Sequence, residues 1–243
     1  MNRVAIVTGA SRGIGREIAK YLAREKINVI ANYNKSEEKA IDLKEELKNE
    51  NIEIDIVKAD VSKRTDAKKL VNYAIEKYGK IDILINNAGI AEFKEFTKIT
   101  DEDWNEMINI NLNSVFIMSQ EVLENMIHNK NGCIINISSI WGNVGSSCEV
   151  HYSTAKAGIN GMTKALAKEL GPSNIRVNAI APGLIDTEMN YDISKEQMEI
   201  IKEDTPLGRI GKPEDIAKCV KWLIEDTFTT GQIISPNGGW VIT

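Results

Sequence analysis

Short apolar runs alternate with longer amphipathic stretches along the whole chain. Continuous apolar runs are typical of parallel strands that are covered by helices on both faces. The apolar runs that we interpret as buried strands are Val4–Val7, Val29–Ala31, Ile54–Val57, Ile83–Ile85, Ile134–Ile137, Val177–Ile180 and Ile233–Ile234. Between them, the pattern predicts helices over Ile14–Lys26, Glu37–Glu50, Ala67–Tyr78, Asp103–Met126 (with a break near Asn111), Ser153–Leu170 and Pro213–Ile224.

This alternation predicts the fold class. Repeated strand–helix units with right-handed crossovers build a doubly wound parallel sheet, so we expect one α/β domain over residues 1–243. No linker rich in Pro, Gly or Ser divides the chain. The longest departure from the alternation is the segment 183–211, which holds one short helical piece, Lys195–Lys202. Long loops of this kind are often lids, and we expect a substrate flap there.

Composition and charge exclude several classes of protein. Apolar residues make up 42% of the chain, and the net charge of −5 is unlike the basic face that nucleic-acid binding needs. Cys133, Cys148 and Cys219 form no CxxC pair, and His128 and His151 are isolated, so no metal site is expected. No apolar run approaches the ~18 residues of a transmembrane helix, and the first strand leaves no room for a signal peptide. We therefore expect a cytoplasmic protein without a membrane or nucleic-acid partner.

A glycine-rich stretch, Thr8–Gly15, follows the first predicted strand. Glycines at a strand-to-helix turn let the backbone approach a pyrophosphate, which then lies at the helix N-terminus. A tight turn without a ligand is the alternative. The position in the first strand–helix–strand unit favours a dinucleotide site.

The residues after the second strand bear on the choice of cofactor. An acidic residue there would accept hydrogen bonds from a free ribose and repel a 2′-phosphate. The stretch Asn32–Ser36 contains no acid, and Glu37 is the first. Arg12 and Lys35 could both bind a phosphate through charge-assisted hydrogen bonds. The sequence therefore predicts NADP, unless Lys35 is only a solvated loop charge.

Tyr152 and Lys156 are the candidate proton-transfer pair. Four residues apart at the start of a predicted helix, they lie on one face. A phenol has a pKa of about 10, and a nearby ammonium should lower the pKa of Tyr152 towards neutrality. Taken alone, this spacing is also that of an ordinary exposed helix face.

Several ordered motifs resemble the short-chain dehydrogenase/reductase family. They are the TGxxxGxG spacing, Asp60-Val61, Asn86–Gly89, the Tyr152/Lys156 pair and Pro182-Gly183. The resemblance implies a Rossmann domain and a carbonyl reductase. It also implies that Ser139, thirteen residues before Tyr152, holds the substrate carbonyl, and that Asn111 supports a water relay to Lys156. The cofactor-binding residues expected on this basis are Gly9, Ser11, Arg12, Gly13, Ile14, Gly15, Asn34, Lys35, Asp60, Val61, Asn87, Ala88, Gly89, Tyr152, Lys156, Pro182, Gly183, Ile185 and Thr187.

The sequence resembles two groups of reductases that act on different substrates. The stretches GASRGIGR, YSTAKAGINGMTKALAKEL and RVNAIAPG resemble bacterial 3-oxoacyl-acyl-carrier-protein reductases, although residues 126–132 are less basic than docking of that acidic carrier suggests. The runs Ser138–Gly142 and Ser147–Tyr152 resemble elongation factor P 5-aminopentanone reductases. In that case Glu149 could face an amino group, but it could equally be a carboxylate at a helix N-terminus.

Two other classes fit less well, and the resemblance also bears on assembly. Non-catalytic NADP-binding sensors typically lose the tyrosine or the lysine, and sugar-nucleotide epimerases carry a longer C-terminal region. The helix predicted over Ser153–Leu170 has apolar or small residues on more than one face. Together with the resemblance this implies a homotetramer, with a dimer as the alternative.

Overall fold

The predicted strands form one parallel sheet in the computed structural model, which describes residues 2–190 and 193–242. The strand order is β3-β2-β1-β4-β5-β6-β7. Their bounds are β1 Val4–Val7, β2 Asn28–Tyr33, β3 Asp55–Lys58, β4 Ile83–Asn86, β5 Gly132–Ile137, β6 Ile175–Ile180 and β7 Ile233–Ile234. The doubly wound α/β fold expected from the sequence is confirmed.

The predicted helices are present with shifts of a few residues at their ends. They are α1 Gly13–Arg24, α2 Glu37–Asn49, α3 Arg64–Tyr78, α4 Asp101–Ile108, α5 Ser114–Asn129, α6 Trp141–Val144, α7 Val150–Leu170, α8 Lys195–Asp204 and α9 Pro213–Glu225. The break expected near Asn111 is a π-helical turn, Asn109–Asn113, between α4 and α5. Among the α-helices of the described residues, only the four-residue α6 has no counterpart in the sequence pattern. Across the described ranges, every helix is too short or too polar to span a bilayer.

Strand β1 explains why the strand runs are apolar without interruption. Ala5 and Val7 belong to the core on one face of the sheet, and Val4 and Ile6 belong to the core on the other. Side chains alternate between the two faces of a strand, so a strand covered on both sides needs apolar residues at every position.

The order of the strands fixes where a ligand can bind. β1 pairs with β2 on one side and with β4 on the other, so the winding direction reverses at β1. In sheets of this type, ligands bind outside the carboxyl ends of the strands at such a reversal. The glycine-rich stretch follows β1 and therefore lies at this point.

The segment 183–211 leaves the sheet after β6 and returns before α9. Its two ends are joined, because the Asp186 N–H donates to the Gly211 carbonyl at 2.9 Å and the Gly211 N–H donates to the Leu184 carbonyl at 2.9 Å. Residues 191 and 192 of the predicted flap lie outside the described residues. The rest contains a 3₁₀ turn, Glu188–Asn190, and helix α8. A substrate flap here remains a prediction.

Candidate functional site

One cavity of about 1680 Å³ opens at the carboxyl ends of the strands. It is larger than the roughly 300–1,000 Å³ of most ligand pockets, so it has room for a dinucleotide and a second molecule. Its walls come from the loops after β1 to β6 and from the segment 183–211. The four predicted catalytic residues all line it, as do all the predicted cofactor-binding residues except Gly15.

The glycine-rich loop is shaped by close backbone contacts. Gly9 and Gly13 have φ angles of +62° and +56°, in the left-handed region that favours glycine. A Cβ on Gly9 would lie 2.9 Å from the Ala88 Cα, and one on Gly15 would lie 2.3 Å from Asn87 Nδ2. Gly15 does not line the cavity, but it lets α1 pack closely against the residues after β4.

Hydrogen bonds hold this loop to the residues after β4. The Thr8 hydroxyl oxygen accepts from the N–H groups of Asn87 and Ala88 at 2.9 and 3.0 Å. The Asn87 amide donates to the carbonyls of Thr8 and Gly9 at 3.0 and 3.1 Å. The two loops therefore form one rigid wall of the cavity.

The start of α1 fits an anionic ligand. Arg12 is the N-cap residue and its side chain does not cap the helix, and the first turn contains no acidic residue. The first N–H groups of a helix have no partner within the helix and attract anions. A dinucleotide pyrophosphate fits this donor set.

One end of the cavity is lined by Asn34, Lys35, Asp60 and Val61. We call it the adenosine end, because these residues are expected to bind that part of the cofactor. Burial raises the pKa of Asp60, but hydrogen bonds from Ser62 and the ammonium of Lys63 together hold that pKa below its usual value. The carboxylate is therefore ionised near neutral pH.

Asn32 is a residue of this end that the sequence analysis did not single out. It is buried, its Oδ1 accepts from the Gly9 N–H at 3.3 Å, and its Nδ2 donates to the Ala59 carbonyl at 3.0 Å. It thus links the glycine-rich loop to the loop after β3. The sequence shows that no acid lies in this stretch, but the contact between Asn32 and Gly9 depends on the tertiary structure.

Tyr152 and Lys156 lie in the first two turns of α7, and both are buried. The Lys156 ammonium donates to the Ile137 carbonyl at 2.9 Å and lies 5.5 Å from the centre of the Tyr152 ring. Burial lowers the pKa of Lys156 to about 8. The helix face shared by the pair is therefore turned inwards, into the cavity.

The expected lowering of the Tyr152 pKa is not found. Burial raises it, the Ser139 hydroxyl lowers it and the charge of Glu149 raises it, and together they bring the pKa of Tyr152 to about 12. Burial wins because a phenolate loses its hydration there. In this structure Tyr152 holds its proton firmly at neutral pH.

The two neighbouring serines after β5 have different surroundings. The Ser139 side chain lines the cavity together with Tyr152, lowers the pKa of Tyr152 and accepts from the Trp141 N–H at 3.2 Å. The Ser138 hydroxyl donates to the Lys156 carbonyl at 3.2 Å. Ser139 is therefore the serine placed with the tyrosine, as the thirteen-residue spacing predicts.

Asn111 is fully buried in the π-helical turn. Its Oδ1 accepts from the Ile90 N–H at 3.2 Å and its Nδ2 donates to the Met107 carbonyl at 3.1 Å. A Cβ on Gly89 would lie 2.6 Å from Asn111 Oδ1 and 3.7 Å from Lys156 Nζ, so both side chains reach Gly89. The π turn, a feature often found at functional sites, places the Asn111 side chain beside Gly89, which the Lys156 ammonium also approaches.

The unpredicted helix α6 supports α7. A Cβ on Gly142 would lie 2.8 Å from the Lys156 backbone, so the two helices touch at the level of the lysine. The Asn160 side chain donates to Asn143 Oδ1 at 2.9 Å. Four residues are too few for a periodic signal, which is why the sequence pattern did not reveal α6.

The other end of the cavity combines acidic and aromatic side chains. Glu92, Glu149, Trp141 and Trp240 line it. Burial raises the pKa of Glu149 by more than the nearby Ser146 hydroxyl and His151 lower it. The indole rings of the two tryptophans meet edge to face with centroids 5.2 Å apart. Of these four residues, the sequence analysis identified only Glu149 as a candidate for function.

His151, beside Tyr152, is fully buried and holds part of this wall in place. Its Nε2 lies 3.4 Å from Glu92 Oε2, and its Nδ1 is buried without a partner among the described residues. The contact joins the start of α7 to the loop after β4.

Comparison with known proteins identifies the family. Residues 3–198 match the family model described as short chain dehydrogenase. The chain is 39% identical over 243 residues to a Bacillus subtilis protein named as an uncharacterized oxidoreductase, YmfI, covering 99% of each chain. It is 40% identical to the 3-oxoacyl-[acyl-carrier-protein] reductases FabG of Staphylococcus epidermidis and Thermotoga maritima, covering 98–99% of each chain. The chain therefore belongs to the short chain dehydrogenase family and is an oxidoreductase that acts on CH–OH and C=O groups.

Proposed function

We propose that the protein is an NADPH-dependent ketone reductase that acts on 3-oxoacyl groups carried as thioesters, as the names of the FabG relatives suggest. The observation that carries the proposal is the buried Tyr152. It lines the same cavity as Ser139 and the glycine-rich loop, and the Ser139 hydroxyl lowers its pKa. A phenol with a pKa of about 12 stays protonated at neutral pH, so it can donate its proton to a carbonyl oxygen as that oxygen becomes negatively charged.

The residues divide the chemistry between them. When bound, the nicotinamide cofactor supplies the hydride for the carbonyl carbon. Tyr152 donates its proton to the carbonyl oxygen, and Ser139 stabilises the negative charge that develops there by hydrogen bonding. Lys156 keeps a positive charge beside the phenol while Tyr152 loses its proton. Asn111 orders the polar groups that then supply a new proton.

The preference for NADP over NAD rests on charge. Arg12 and Lys35 line the adenosine end of the cavity together with Asn34. Both can form charge-assisted hydrogen bonds with a 2′-phosphate, whereas a free ribose hydroxyl gains much less from them.

The direct test is reduction of a simple 3-oxoacyl thioester such as acetoacetyl-coenzyme A by the purified protein. We expect oxidation of NADPH that depends on the thioester, and a slower rate with NADH at the same concentration. Absence of thioester-dependent NADPH oxidation would contradict the proposed substrate.

A second candidate function is favoured by the two acids at the end of the cavity that contains Trp141 and Trp240. We call this end the substrate end. Glu149 and Glu92 would attract a ketone that carries an amino group, such as the 5-aminopentanone modification of elongation factor P. Trp141 and Trp240 add aromatic faces that can stabilise a cation. Comparing an amino ketone with acetoacetyl-coenzyme A under the same conditions distinguishes the two substrates, because the preferred one has the higher kcat/KM.

We also propose that the protein works as a cytoplasmic homotetramer. Phe116 and Ile127 of α5 are about half exposed in the single chain, which suits a helix that packs against its copy. The cysteines are all free, as expected in a reducing compartment. Light scattering at micromolar concentration should give the mass of four chains, and a monomer mass would contradict the assembly.

A further inference from the structure

The segment 183–211 places a carboxylate at the adenosine end of the cavity. Glu188 directly follows the predicted cofactor-binding residue Thr187. Its carboxylate accepts from Lys39 Nζ at 2.5 and 2.6 Å and lies 3.4 Å from Arg12 Nη1. The three side chains join the glycine-rich loop, the first turn of α2 and the segment 183–211.

Arg12 therefore contacts one anion, Glu188, and is the proposed partner of a second, the 2′-phosphate. Glu188 lines the same cavity as Arg12, Asn34 and Lys35, where the proposed function puts the 2′-phosphate. Carboxylate and phosphate are both bound by the fork of guanidinium N–H groups, and they compete for the same donors. The two cations lower the pKa of Glu188, Lys39 more than Arg12, so the competing carboxylate is ionised at neutral pH.

We propose that Glu188 is an internal competitor of the cofactor's 2′-phosphate, and that Arg12 exchanges Glu188 for the phosphate when NADPH binds. The exchange releases one of the two contacts that tie Glu188 to the cofactor-binding core, while Lys39 retains the other. Glu188 therefore lowers the affinity for NADPH and leaves that for NADH, which has no 2′-phosphate, almost unchanged. The inference rests on the NADP preference proposed above.

The size of the effect follows from the exposure of the groups. The side chains of Arg12 and Glu188 are 56% and 32% exposed. Ion pairs this accessible to water and salt contribute little each, so removing the competing charge should tighten NADPH binding by about two- to fivefold. Salt should reduce the difference, because it screens exposed charges.

The test is Glu188→Gln, with the affinities for NADPH and NADH measured by fluorescence titration at low and high salt. Glu199→Gln is the matched control, since it removes the same charge from the same segment at an exposed position that does not line the cavity. We expect tighter NADPH binding only in Glu188→Gln, and unchanged NADH binding in both variants. Unchanged or weaker NADPH binding in Glu188→Gln, or an equal gain for NADH, would overturn the proposal.

A double-mutant cycle tests the exchange itself. In an Arg12→Ala background, Glu188→Gln should no longer improve NADPH binding, because the shared donor is gone. Persistence of the gain would mean that Glu188 does not compete for Arg12. Equal affinities of the wild-type protein for NADPH and NADH would instead overturn the proposed cofactor, and this inference with it. A clear NADPH preference that Glu188→Gln leaves unchanged would overturn this inference alone.

Discussion

The two ends of the cavity are built in different ways. The cofactor end is formed largely by backbone: glycines with positive φ at Gly9 and Gly13, and N–H and carbonyl groups held by Thr8 and Asn87. The proposed substrate end is formed by side chains, with two acids and two tryptophans from three separate stretches of the chain, after β4, β5 and β7. A backbone site binds what all members of a family share, whereas side chains can change without disturbing the fold. Tyr152 and Lys156 lie between the two ends.

The largest effect should come from removing the Tyr152 hydroxyl. Tyr152→Phe keeps the ring packed, so cofactor binding should survive while proton donation is lost. General acid catalysis contributes about 10²- to 10⁴-fold, and kcat should fall at least that far. Steady-state kinetics with any accepted ketone measure it.

Tyr21→Phe, a change at a tyrosine of α1 that packs against the core, is the control and should leave kcat unchanged. Nearly wild-type turnover of Tyr152→Phe would mean that another group supplies the proton. Lys156→Ala and Ser139→Ala should also impair turnover, but the losses should not add, because the groups act as one unit.

A pH profile separates the lysine from the tyrosine. Burial lowers the pKa of Lys156 to about 8, and Tyr152 has a pKa of about 12. As the pH rises through the lower value the ammonium loses its charge, so kcat/KM should fall by about tenfold per pH unit while Tyr152 is still protonated.

The matched variant for this profile is Lys156→Arg, whose charge persists to much higher pH. If the Lys156→Arg variant retains activity, the pH at which kcat/KM begins to fall should be higher than in the wild-type protein. An unchanged limb would assign the titration to another group.

The cofactor end can be tested with a change of charge. Lys35→Asp should shift the ratio of NADPH to NADH affinity by about fivefold towards NADH, because the carboxylate repels the 2′-phosphate and can accept from a ribose hydroxyl. Fluorescence titration of both nucleotides measures the ratio. Lys44→Asp, the same change on an exposed face of α2, is the control, and an equal shift there would indicate only a general effect of net charge.

The smallest expected effect is at the substrate end. Glu149→Gln should lower kcat/KM for an amino ketone by about threefold and leave that for acetoacetyl-coenzyme A almost unchanged, since a partly exposed charge pair contributes little. Glu95→Gln, at an exposed position outside the cavity, is the control. Equal changes for both substrates would show that Glu149 does not discriminate between them.

The fold was largely predictable because its signals are local. Uninterrupted apolar runs indicated strands covered on both faces, and the bounds of β1 and β7 match the predicted runs. The strand β2 extends beyond its predicted run at both ends, to Asn28 and Tyr33, because pairing with β1 and β3 recruits residues that are not apolar. The fixed spacing of Tyr152 and Lys156 predicts that both lie on one helix face, whereas their burial depends on how that helix packs.

By itself, the sequence determined the strand–helix alternation, the glycine turn and the helix face shared by Tyr152 and Lys156, since each depends on neighbours within a few positions. Only the tertiary structure decided which groups meet across long separations. It joined Glu188 to Arg12 and Lys39, and Trp240 to Trp141. It also reversed the expected direction of the Tyr152 pKa, because the free energy of a charge depends on how much water surrounds it, and burial is a property of the folded chain.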